Sequence, residues 1–220
     1  MIRSPKTLTA LSVCWIAWCL ISALTGCNIA GGAHPEKNGA RFLAEQGFPA
    51  LLAERVVQGD ALEPAEIAAL SRLRDENVRF LLGRNPHLPS EAVDLFIRDR
   101  NDFVRSGAAR NSNLTLRQIE TLMNDLSHTV LIGLAENPSV SEEHQMRLHQ
   151  QRRIGLLYFA MNPNCARPLR DAILNSDNAD AKYWLKVTQD WIAQGIFVKG
   201  SDGRWKRDRV SHSPRELTAR

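Results

Sequence analysis

No convincing strand pattern occurs before residue 195, which excludes a β-rich body. Compact catalytic signatures are missing too. There is no Gly-x-Ser-x-Gly elbow and no Ser-x-x-Lys pair. The glycine-rich string Gly26 to Gly32 lacks the Lys-Ser/Thr ending of a phosphate loop. Histidines are scattered. His144 and His149 stand five apart, which separates them around a helix, while His34, His87, His128 and His212 fall in a spacer, a turn, a repeat junction and the tail. None has the spacing of a zinc site. The acidic pair Glu142-Glu143 opens a helix, where carboxylates favour the positive end of the dipole. These absences predict a non-enzymatic protein without a metal.

Long apolar runs are also scarce; the conspicuous one is Leu8 to Ala23, preceded by Arg3 and Lys6 and followed by Leu24-Thr25-Gly26-Cys27. Basic start, apolar run and small residues ending in Cys resemble a bacterial lipoprotein signal. The resemblance implies cleavage before Cys27 and lipid on its sulfur; no cofactor beyond that covalent lipid is expected. The alternative is an uncleaved anchor, but the run is shorter than the ~20 residues of a spanning helix. With Cys14 and Cys19 removed and Cys27 acylated, only Cys165 remains, so no intrachain disulfide can form. A lone cysteine at that position reads as a small buried apolar residue. Asn28 follows Cys27, where the inner-membrane retention signal of such lipoproteins has Asp. That difference implies an outer membrane address, facing the periplasm, in a Gram-negative cell.

Net charge is not spread evenly. The chain totals +4, yet Arg3 and Lys6 leave with the signal, and residues 199–220 hold seven basic against three acidic side chains. The body is therefore slightly acidic, which argues against wrapping nucleic acid through phosphate neutralisation.

What is present is a repeat. Asn85, Asn111, Asn137 and Asn162 are separated by 26, 26 and 25 residues. Seven residues before them stand Val78, Val104, Val130 and Gly155, and two before them the small residues Gly83, Ala109, Ala135 and Ala160. Leu88, Leu114, Val140 and Cys165 follow by three; Phe96, Leu122, Leu148 and Ile173 follow by eleven. A degenerate first copy uses Leu52, Val57, Gly59, Leu62 and Leu70. A fixed period of this length predicts stacked units. Each unit reads as two short helices. The first ends at Asn85-Pro86, Asn111-Ser112, Asn137-Pro138 or Asn162-Pro163, where Asn is expected in the left-handed conformation and Pro stops continuation. The second begins near Ser90, Thr115 or Ser141, with Thr115 and Gln118 forming a capping box.

These residues resemble the leucine-rich repeat variant and HEAT-like repeat families: Val78-Arg79 with Asn85-Pro86, Val104-Arg105 with Asn111, and Asn137-Pro138-Ser139-Val140-Ser141. The resemblance implies an all-α, right-handed α-solenoid of about five two-helix repeats that binds other macromolecules. Some leucine-rich-repeat-variant proteins also carry a cysteine cluster for iron–sulfur, which this chain lacks. Val130-Leu131 and Gly155-Leu156 depart from the Val-Arg pattern.

The expected organisation is a signal over 1–26, a lipidated Cys and flexible spacer over 27–38, a helical-repeat domain with a C-terminal capping helix over 39–194, and a segment over 195–220 compatible with a small hairpin followed by a basic tail. Arg79 with Arg105, and Arg84 with Arg110, repeat at 26 and are candidates for a basic stripe facing an acidic partner; stabilisation of helix ends is the other reading. Arg204-Trp205-Lys206-Arg207 could contact nucleic acid, anionic lipid or acidic glycan. The leading expectation is a lipid-anchored scaffold that binds a protein partner in the bacterial envelope, as an accessory of a secretion, pilus or conjugation apparatus. Polyanion binding by the tail and an envelope hydrolase built on Glu143, His144 and His149 are the rivals.

Overall fold

The computed structural model describes residues 34–152, 154–200 and 205–207. Cys27, Asn28 and Arg204 lie outside the described residues, and so does most of the expected basic tail. The fold is all-α. Twelve helices are described: α1 (Pro35–Glu45), α2 (Ala50–Gln58), α3 (Pro64–Ser71), α4 (Glu76–Arg84), α5 (Ser90–Phe96), α6 (Asp102–Ala109), α7 (Leu116–Met123), α8 (His128–Glu136), α9 (Glu142–Arg152), α10 (Leu156–Ala160), α11 (Arg167–Asn175) and α12 (Ala179–Ala193). A two-stranded antiparallel hairpin, β1 (Phe197–Lys199) with β2 (Trp205–Arg207), follows, with Lys199 opposite Trp205.

Pairs α2/α3 to α10/α11 are the five repeats, each with a leading and a trailing helix. The leading helices α4 and α6, and α6 and α8, stack on one another, and each trailing helix packs against at least one adjacent leading helix. The repeated apolar positions form the core: Val78, Val104 and Val130, then Leu88, Leu114 and Val140, then Phe96, Leu122, Leu148 and Ile173 are all buried. Cys165 is buried in the same column as Leu88, as the sequence suggests, and desolvation pushes its thiol up to about 11.

Close stacking of leading helices depends on glycines at one phase. A Cβ on Gly107 would lie 2.5 Å from the Phe80 carbonyl oxygen, and one on Gly133 would lie 2.9 Å from the Ala109 Cβ. Phe80 and Phe103 stack across the same interface with ring centroids 4.4 Å apart.

The ends differ from expectation in two ways. The first helix opens at Pro35, inside the stretch expected as spacer; a proline at a helix start sacrifices no hydrogen bond, so it begins the helix instead of breaking it. That helix, α1, takes much of the packing against α4, and a Cβ on its Gly39 would lie 2.8 Å from Leu81. The degenerate first copy therefore shares its stacking role with an element the repeat pattern does not contain. At the other end α12 runs unbroken through the position where another Asn would fall, burying Ala181, Trp184, Leu185 and Thr188. It covers the last apolar face, as a terminal unit of stacked repeats must.

Candidate functional site

The side chains that recur at one phase form ladders between repeats. Asn111 Nδ2 donates to the Gly83 and Asn85 carbonyl oxygens at 2.9 and 2.8 Å. Asn137 does the same to Ala109 and Asn111 (2.7 and 2.8 Å), and Asn162 to Ala135 and Asn137 (2.8 and 2.9 Å). Asn85 has one such rung, to the Asp60 carbonyl oxygen at 2.8 Å. Each Oδ1 accepts the backbone N–H two residues on, from His87, Asn113, Ser139 and Asn164. All four amides are buried and satisfied.

This corrects the expected left-handed role of asparagine. Asn85 sits at φ −66°, ψ 118° and Asn137 at φ −80°, ψ 120°, both extended. The following Pro86 and Pro138 exclude the helical region for the residue before them, so the chain leaves the helix extended and the amide turns inward. The left-handed cap is made instead by Gly59, at φ 67°, in the degenerate copy.

The arginine columns are also spent within the fold. Arg79 Nε donates to Asp99 at 2.8 Å and Arg105 Nε to Asp125 at 2.6 Å, with all four side chains at most 19% exposed. Their Nη1 groups bind turn carbonyls, Arg79 those of Leu73 and Arg74, Arg105 those of Asp99 and Arg100. Arg84 pairs with Glu36 at 3.1 Å and Arg110 with Glu136 at 2.9 Å. Carboxylates therefore match all four cations, and they do not form the unmatched basic stripe considered from the sequence. Where Arg gives way to Leu131, the acidic residue 20 positions on gives way to Gln151, so both members of the pair vanish together. Burial pushes the Asp125 carboxyl up, but the Arg105 side chain and the Ser127 N–H outweigh it and hold it below the ordinary value.

The rival catalytic cluster becomes a further ladder. His144 Nδ1 lies 2.6 Å from Ser141 Oγ, and Nε2 lies 2.8 Å from Glu120 Oε1. Arg147 also binds Glu120, at 2.8 Å, and is the main reason its carboxyl is held low, with His144 adding to it. One repeat earlier Gln118 occupies the same place. It closes the expected capping box with Thr115 and donates from Nε2 to Asp94 at 2.8 Å. What His144 and Gln118 share is a bracket from helix start to neighbouring trailing helix. His149 lies apart, Nδ1 2.8 Å from the Ile154 carbonyl oxygen and its ring against Phe159. The structure does not bring it to His144 as a pair. Among the described residues no three His, Cys, Asp or Glu are grouped to hold a metal.

Trp205, Lys206 and Arg207 form β2. The signal that a reading of Arg79, Arg84, Arg105 and Arg110 misses lies at two other phases of the same period: Arg72 with Arg98, and Arg74 with Arg100, all exposed. Compared with known proteins, the chain matches no family model, no curated sequence and no solved structure.

Proposed function

We propose that this chain is a bacterial envelope lipoprotein, tethered through acylated Cys27, whose helical repeats serve as a non-enzymatic scaffold for a protein partner. The asparagine ladder is the observation that carries the scaffold reading. Its polar groups are used up in bonding repeat to repeat, which favours a stiff, preorganised array over a reactive centre. The curved, right-handed course implied by the repeat resemblance belongs to this reading, since it would offer an extended surface. The tether rests on Leu24-Thr25-Gly26-Cys27, and two or more acyl chains hold a protein stably on a bilayer. No described helix is long and apolar enough to cross a membrane. Asn28 favours an outer membrane address facing the periplasm in a Gram-negative cell, and service to a secretion, pilus or conjugation apparatus fits such an accessory.

Fractionation with crosslinking in intact cells tests both halves. Wild-type protein is expected in the membrane fraction, joined to a component of an envelope assembly. Cys27→Ala is expected to lose acylation and leave that fraction. Unchanged fractionation of the variant would sink the tether, and no reproducible protein adduct would sink the scaffold.

A further inference from the structure

The connections from each trailing helix to the next leading helix form one edge of the array. Arg72, Arg98 and Asn124 occupy one phase of these turns; Arg74, Arg100 and Leu126 occupy another, two residues on. We propose that this edge docks on anionic phospholipid headgroups.

The four arginines are exposed, and their guanidinium groups carry no hydrogen bond or ion pair with the described residues. They differ in this from Arg79, Arg84, Arg105 and Arg110, whose charges are matched by carboxylates. The backbone beneath them is fixed. Arg79 Nη1 holds the Leu73 and Arg74 carbonyl oxygens at 3.2 and 2.6 Å, and Arg105 Nη1 holds those of Asp99 and Arg100 at 2.8 and 3.3 Å. Arg152 clamps the third turn through the Asp125 carbonyl. Asn101 bonds to Glu76 and Ser127 to Asp102, tying successive turns into a row. Helices in contact are about 8–10 Å apart, so the free cations recur along the edge at roughly that interval.

The acidic groups of the edge are mostly withdrawn. Asp99 and Asp125 face the arginines below, with side chains 13% and 10% exposed, and Asp75 caps its own helix. Glu76 and Asp102 stay exposed and temper the field, so the attraction should weaken readily with salt.

Leu126 chooses among anionic partners. It is 96% exposed in the phase occupied by Arg74 and Arg100. Cations at phosphate level beside an apolar tip suit the boundary between headgroups and acyl chains, where apolar side chains insert by about 5–10 Å. A nucleic acid backbone would leave that leucine unused, and an acidic protein segment is the rival occupant that crosslinking at 126 separates from lipid. The inference rests on the proposed tether for proximity. Glu36 pairs with Arg84 at the end of α4 remote from this edge, so α1 begins about one helix length, ~14 Å, away. The eight peptide steps from Cys27 to Pro35 can span roughly 28 Å at most, so the tether does not forbid the contact.

The test places a photo-crosslinking side chain at position 126 of the full chain in its native membrane fraction, with Leu116, also exposed, as the control position. A phospholipid adduct is expected at 126 and little at 116. R72Q/R74Q/R98Q/R100Q should cut the adduct at 126 at least ~tenfold, even where Glu76 and Asp102 offset most of the about fivefold that each surface arginine contributes. Its thermal midpoint should not move, because these side chains bond to none of the described residues. A protein adduct at 126, equal lipid adducts at both positions, or an adduct indifferent to the four substitutions would overturn the proposal. If the protein is absent from membranes, the tether has failed on its own. Flotation of the full chain with phosphatidylcholine vesicles, with and without phosphatidylglycerol, then decides the edge: arginine-dependent binding to the anionic vesicles sustains it, and its absence ends it.

Discussion

His144 Nε2 stands 2.8 Å from Glu120 Oε1, as Gln118 Nε2 stands 2.8 Å from Asp94 Oδ1 one repeat earlier. Both side chains also close the start of their own helix, His144 through Nδ1 on Ser141 Oγ and Gln118 through Oε1, which accepts the Thr115 backbone N–H. An imidazole and an amide thus do one job. His144→Gln should therefore fold with stability within about 0.5 kcal/mol of wild type, whereas His144→Ala should lose clearly more, about 1 kcal/mol, because the buried imidazole's bonds to Ser141 and Glu120 go even though Arg147 still holds Glu120. Urea unfolding of the two variants checks this. Equal losses would mean that the imidazole has a task the bracket does not explain.

The asparagine ladder predicts a graded series. Asn111→Ala and Asn137→Ala each remove two inter-repeat donors and one acceptor from a buried site, and should cost about 3 kcal/mol. Asn85 makes a single rung, so Asn85→Ala should cost visibly less, about 2 kcal/mol. Chemical denaturation at constant m-value measures the series. A flat response across the three would show that the rungs are not what binds the repeats.

Much of this architecture is legible in the sequence because side-chain identity repeats with position. The columns headed by Val78, Leu88 and Phe96 give the core, and Asn85 to Asn162 give the register. The role of asparagine is not legible that way. An Asn before Pro looks like a helix stop, and its rungs reach carbonyls 25–28 residues away. Spacing alone also cannot separate Arg79 from Arg74. Both lie near the same turn, but only Arg79 has Asp99 within reach, while Arg74 is exposed. Helix α1 escapes detection because it lies outside the period, and Pro35 after two glycines reads as a break.

Acid sensitivity should follow the carboxylates of these links. Asp125 is held below its ordinary value of 3.8. A depressed native value means that the unfolded chain takes up the proton first. The stabilisation is therefore present above about 3.8 and is lost as pH falls through the native value. Glu120 acts in the same direction from 4.5 downward, held low by Arg147 and then by His144. Asp125→Asn should cost about 2 kcal/mol at pH 7, since Arg105 loses its carboxylate partner. It should also narrow the stability difference between pH 7 and pH 3, read from urea titrations at both. An undiminished acid loss in the variant would place the sensitivity elsewhere.

Gly107 and Gly133 test whether leading helices truly need contact at backbone distance. An added Cβ at Gly107 meets the Phe80 carbonyl oxygen at 2.5 Å, and one at Gly133 meets the Ser106 carbonyl oxygen at 2.9 Å. Backbone cannot rotate out of the way, so the stacked helices must separate and loosen the asparagine rungs beside them. Alanine normally favours a helix over glycine by up to about 1 kcal/mol. Here the sign should invert, with Gly107→Ala and Gly133→Ala each losing about 2–3 kcal/mol. Faster hydrogen exchange should appear in α4, α6 and α8 together, because the strain passes through their shared interface. Stabilisation by either substitution would mean that the helices stand farther apart than the stacked Phe80 and Phe103 rings imply.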